Sequence, residues 1–127
     1  MTKYIDYVKA LYLKAWDEAI AEALVIIPSQ KATDIVIELS SSMGWRERVV
    51  AANIISAFQL YSLAPGLIKT FSKNPESYTC SAFSLLLREL PKKDQSELEE
   101  YMLSYCPDDS YGDHLRSTIS EVTSSDA

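Results

Sequence analysis

Apolar residues return at intervals of three and four along most of the chain. Between Tyr4 and Ile27, the residues Ile5, Val8, Leu11, Tyr12, Ala15, Ala19, Ala23, Leu24 and Ile27 fall on one helical stripe, which predicts one long helix or two short ones closed by Pro28. A second helix carries Ile35, Ile37 and Leu39, with Ser29 or Thr33 as its cap, and stops at the serine run before Gly44. The segment WRERVVAANIISAFQLY, 45 to 61, differs in kind. Its apolar residues point in nearly every direction, with Val49 and Ala52 on one side and Val50, Ile54 and Phe58 on the other, so it is expected to be the enclosed central rod of the fold.

After the Leu63-Ala64-Pro65-Gly66 break, LIKTFSK reads as a short helix. Asn74 and Pro75 read as a cap and first helical position for ESYTCSAFSLLLREL, 76 to 90, which ends at Pro91. Asp94 with Glu97 three residues on has the form of a capping box, opening a helix to about Cys106. A turn at 107 to 109 leads to a last helix carrying Leu115, Ile119 and Val122, with 123 to 127 expected to fray. No segment sustains period-two alternation. The expectation is an all-α fold in a single domain over 1 to 122.

Between a bundle and a solenoid, two patterns favour the solenoid. Shifted by thirty residues, the chain echoes itself loosely, with Ala51-Ala52 over Ser81-Ala82 and Ile54-Ile55 over Ser84-Leu85. R-x-x-A-A-x-x-I-S, from Arg48 to Ser56, resembles the second helix of a HEAT repeat, where small residues admit a close neighbour and arginine ties down a turn. A short HEAT-like stack of antiparallel helices is expected. Arg46 and Arg48 then read as structural.

The 127 residues are 47% hydrophobic, enough for one core and too few for two. MTKYIDYVKALYLKAW mixes charges into its apolar positions, so it reads neither as a signal peptide nor as a membrane span, and a cytoplasmic protein is expected. Cys80 and Cys106 stand singly without C-x-x-C spacing, and one histidine, His114, does not complete a zinc site with them. They read as reduced, buried thiols. No G-x-S-x-G elbow surrounds a serine, the three glycines stand apart, and the Asp108 to Asp113 cluster fails the EF-hand pattern because its twelfth residue is Ile119. Neither catalytic residues nor a cofactor or metal is expected.

Charge becomes informative once it is divided. Residues 1 to 93 hold eleven basic and nine acidic side chains, a balance of +2, whereas residues 94 to 127 hold one basic and nine acidic, a balance of −8. Such a lobe repels nucleic acid and anionic membrane and steers a basic protein toward itself. On a helix from 94 to 106, Leu98, Tyr101, Met102 and Tyr105 share the core arc, while Leu103 falls among Ser96, Glu99 and Glu100 as an apolar anchor ringed by acids. Tyr111 lies in the following turn. The candidate contacts are Glu99, Glu100, Leu103, Asp108, Asp109, Tyr111 and Asp113.

Tyr4 with Tyr12-Leu13, followed by W-R-x-R-x-x-A-A from Trp45 to Ala52, resembles small helical immunity proteins of bacterial contact-dependent growth inhibition systems. The resemblance implies a non-enzymatic inhibitor that binds one toxin domain, often a nuclease, in the cytoplasm. An adaptor whose groove holds a peptide or helix, and an acidic nucleic-acid mimic, are the alternatives.

Overall fold

Nine consecutive residues, Arg48 to Ser56, are buried in one helix, as expected of a segment apolar on all sides. The computed structural model describes residues 4 to 124, and among them no strand occurs. The helices are α1 (Ile5–Leu11), α2 (Trp16–Ile26), α3 (Ala32–Ser40), α4 (Trp45–Phe58), α5 (Ala64–Ile68), α6 (Ser77–Leu87), α7 (Lys92–Ser104) and α8 (Ser110–Ser124), with 3-10 turns at 29–31, 61–63 and 69–73. None is long and apolar enough to cross a membrane. The all-α reading holds.

Helix α4 packs against α1, α2, α3, α5 and α6, and α6 in turn packs against α7 and α8. Alanines make the close approaches possible: Ala19 and Ala23 on α2, Ala51 and Ala52 on α4, and Ala82 on α6 are all buried. Phe71 and Phe83 fill the space between the 69–73 turn and α6, their ring centres 6.4 Å apart. The first stripe is two short helices, broken at residues 12 to 15. Its Leu24 is exposed, as is Ile37 on α3, whose buried set is Ala32, Ile35, Val36 and Leu39. A stripe three and four residues apart selects Val36 over Ile37.

Several expected helix ends lie elsewhere. The cap of α6 is Glu76, whose carboxylate accepts from Tyr78 N at 2.9 Å and from Thr79 N and Oγ1 at 3.1 Å, so Asn74 and Pro75 stand outside the helix. Helix α7 begins at Lys92, directly after Pro91, whose carbonyl accepts from Gln95 N at 2.9 Å. Asp94 therefore lies inside the first turn, and the expected capping box is absent. Neither Ser29 nor Thr33 caps α3, because the 29–31 turn runs straight into it. Helix α4 stops at Phe58, short of Tyr61, where Gln59 enters the left-handed region at φ 56° and Leu60 N reaches back to Ile55 O at 2.9 Å. At the other end of the chain, α8 extends into the segment expected to fray, through Thr123 and Ser124, with Thr123 buried and its hydroxyl on Ile119 O; residues 125 to 127 lie outside the described residues.

Arg48, 1% exposed, is among the largest fully buried side chains of the described residues. Its guanidinium donates to Thr70 O at 3.0 Å and Asn74 O at 3.3 Å, pinning the segment that leads into α6. Burial pushes its pKa below the ordinary arginine value, with Glu76 and Glu47 opposing. Arg48 is structural, although it ties down a later turn and not the preceding one. Arg46 is exposed and lies over the rings of Tyr12 and Trp45, at 5.3 and 4.7 Å.

Candidate functional site

The acidic stretch divides into exposed charges and side chains occupied within the molecule. On α7, Glu100 is exposed and Glu99 half-buried, while Leu103 packs against the core instead of standing free among acids. That placement corrects the expected side of the helix: Leu103 is half-buried against the core and not on the solvent face among the acids. The residue lies on the flank of the buried Leu98–Met102 stripe, within reach of the core on a helix this short of apolar residues. Tyr101 is half-buried and its hydroxyl donates to Lys69 O at 3.1 Å; Tyr105, expected in the core arc, is exposed against it with ring centres 4.8 Å apart.

In the turn beyond, Asp108 is exposed. Asp109 caps α8, its Oδ1 accepting from Gly112 N at 2.8 Å. Asp113 pairs with Arg116 at 2.7 Å, which holds that guanidinium pKa up, and the same arginine donates to Cys106 O at 3.4 Å. Tyr111 is exposed, with its hydroxyl 3.4 Å from Pro75 O. The seven candidates thus gather on α7, the following turn and the first turn of α8. Glu99, Glu100 and Asp108 make no side-chain hydrogen bond or ion pair, although Asp108 lies close enough to Arg116 to help hold its pKa up.

A second surface lies on the other elements of the fold. The α1–α2 connection, α4 and α6 enclose a groove of about 400 Å³ lined by Tyr12, Leu13, Lys14, Trp16, Asn53, Tyr78 and Leu85 among others. It continues past Trp16 and Leu85 into a second hollow bordered by Asp17, Arg88 and Glu89. Two of the groove's lining rings share a neighbour in Trp45, which is stacked on Tyr78 at 4.6 Å and meets the edge of Tyr12 at 5.7 Å. Leu13, 74% exposed, and Tyr78, 61% exposed, stand open beside it. At the floor, Asn53 is 2% exposed and its Oδ1 has no hydrogen-bond partner. A buried carboxamide left unpaired costs stability, so its retention has to be explained.

Sequence reasoning missed this groove, although one signal for it was present. Asn53 is the polar residue in the otherwise apolar run VVAANII, at a position a buried helix would fill with an aliphatic side chain. It also missed the knot at the far end of α4. There Glu89 accepts from Ser56 Oγ at 2.7 and 2.9 Å and from Tyr61 OH at 2.9 Å, and burial together with that carboxylate pushes the Tyr61 phenol up to about 12. Cys80 is buried against Leu115 O at 3.7 Å, and burial raises its thiol to about 12; Cys106 is half-buried and is raised by the same cause. Among the described residues no three His, Cys, Asp or Glu side chains converge as metal ligands. No family model, curated protein or solved structure matches the chain.

Proposed function

We propose that the chain is a non-enzymatic immunity protein, a short HEAT-like stack that binds a cognate basic toxin domain, a nuclease, in the cytoplasm and neutralises it by covering its active-site region. The observation that carries this reading is the balance of −8 over residues 94 to 127, displayed on α7 and the turn into α8 with Glu100 and Asp108 open to solvent. Nuclease domains hold phosphates with basic surfaces, which are complementary to such a lobe. The HEAT-like reading is supported by the row in which α2 meets α4, α4 meets α6 and α6 meets α8, leaving the odd-numbered helices to the flanks.

Activity of the toxin domain encoded beside this chain, titrated with the purified protein, tests the reading. Inhibition is expected to reach completion at a fixed molar ratio and to reverse when the complex is separated. A toxin that stays active at excess protein overturns the reading, and a toxin recovered in permanently modified form makes the chain an enzyme.

A further inference from the structure

Resting on the reading of α7 and the turn into α8 as the toxin-binding face, we infer that Arg116 is the positioning residue of that face. It is the one basic side chain among residues 94 to 127, and it strengthens the hold on a basic partner although its own charge opposes that partner.

Negative charge accumulates where α7 ends. The helix closes at Ser104, with Tyr105 N on Met102 O at 3.1 Å and Cys106 N on Leu103 O at 3.4 Å, and its last carbonyls carry the partial negative charge of a helix C-terminus. Asp108, Asp109 and Asp113 follow directly, and like charges so close repel one another. Arg116 reaches back from α8 and offsets them. Its Nη2 holds Asp113 Oδ1 at 2.7 Å and its Nη1 donates to Cys106 O at 3.4 Å, so one planar fork ties α8 to the end of α7. The bond to Asp113, and Asp108 beyond it, hold the guanidinium pKa up.

The exposed Asp108 is thereby bracketed by fastened neighbours. On one side Arg116 holds Cys106 O; on the other, Asp109 Oδ1 accepts from Gly112 N at 2.8 Å and Asp109 O from Asp113 N at 3.0 Å. Gly112 completes the fit, because a Cβ there would run into Pro107 O. A turn fixed before its partner arrives gives up less freedom on docking, so its acids are held more firmly in the complex. Net charge alone gives the opposite expectation: a neutral residue at 116 removes one positive charge, taking −6 to −7, and should favour a basic domain. The two expectations differ in sign.

Binding kinetics of the toxin domain encoded beside this chain, measured with Arg116→Gln and Arg116→Lys, test this together with amide exchange of each free variant. Arg116→Gln is expected to associate at least as fast as the parent at low salt and to dissociate about five- to tenfold faster, a split between the two rates that loss of a surface charge does not produce. Arg116→Lys keeps the charge but lacks the fork, so it should associate at the parent's rate and still dissociate faster. In both free variants exchange should rise at residues 105 to 110 and stay unchanged in the other helices. An Arg116→Gln that dissociates as slowly as the parent, or whose exchange at 105 to 110 is unchanged, overturns the inference and leaves the arginine as a charge that only weakens the lobe. Faster exchange over all helices, with a lower melting temperature, overturns it too, since Arg116 would then support the fold at large. A parent that does not bind the toxin domain contradicts the proposed function itself, and the role of Arg116 falls with it.

Discussion

Gln59 and Gly112 each sit where the presence or absence of a Cβ decides the cost of the backbone arrangement. Gln59 is the residue with positive φ among those described, at 56°, and a Cβ there is strained. Gln59→Gly is expected to stabilise the domain by about 1 kcal/mol, raising the midpoint of thermal unfolding by about 3 to 5 °C. Gly112 presents the opposite case. A Cβ on it would run into the carbonyl group of Pro107, so Gly112→Ala should destabilise by about 2 kcal/mol or more although alanine is the better helix former. Denaturant titration of both variants checks the pair of signs. Such single positions were barely legible in the sequence, because a cap depends on where neighbouring chain approaches. Asn74 has the chemistry of a cap, but Pro75 follows it and Glu76 two residues on takes the role with its longer reach.

Titration belongs to this scale as well. The Tyr61 phenol and Cys80 thiol are both raised to about 12 in the folded protein, so each binds its proton more tightly folded than unfolded. Their contribution is complete below the ordinary values, near 9 for the thiol and 10 for the phenol, and is lost as pH climbs toward 12. Stability should therefore fall across the range from pH 9 to 12, and Tyr61→Phe should flatten its upper part. Denaturation midpoints measured through that window decide it; an equal slope in parent and Tyr61→Phe would show that neither burial nor Glu89 holds the phenol's proton.

At the scale of elements, the sequence pattern was a good guide wherever burial covered a whole face. The enclosed nature of the 45 to 61 segment could be read from its apolar residues alone, and α4 is buried from Arg48 to Ser56. Helix boundaries and exposed apolar positions were less readable. Leu24, Val25 and Ile37 look like core residues by type, and only the way α2 and α3 each pack on α4 leaves them in solvent. Arg48 was legible as structural but its partner was not, since Thr70 and Asn74 are brought to it by the return of the chain. Arg48→Met keeps the apolar stem but strips both carbonyls of their donor. Loss of about 2 to 3 kcal/mol is expected, together with faster amide exchange confined to residues 69 to 76. Uniform faster exchange over all helices, with no local excess, would argue that Arg48 only fills volume.

For the whole molecule, one core depends on one rod. Ile55 is fully buried on the helix that touches α1, α2, α3, α5 and α6, so Ile55→Asp places an unpaired carboxylate inside the core and should leave the chain unfolded at room temperature. Circular dichroism of the variant checks this, and a helical, cooperatively melting Ile55→Asp would remove α4 from the centre of the account. The candidate binding surface was legible at this scale as a charge asymmetry and blurred at the scale of residues. Composition shows where acid accumulates but not which acids are already engaged, and the structure assigns Asp109 to a cap and Asp113 to Arg116.

The central claim is that the remaining open acids of the C-terminal helices steer and hold a basic toxin domain. Association rates of that domain with the parent and with the Glu100→Lys, Asp108→Lys double variant, followed across a salt series, test it most directly. The account predicts intact helicity in the variant and a slower association whose deficit is largest at low salt, where charges act over about 30 Å at 0.01 M against about 8 Å at physiological strength. A variant that associates as fast and binds as tightly as the parent at low salt would contradict it, and would leave the acidic lobe as a solvated face.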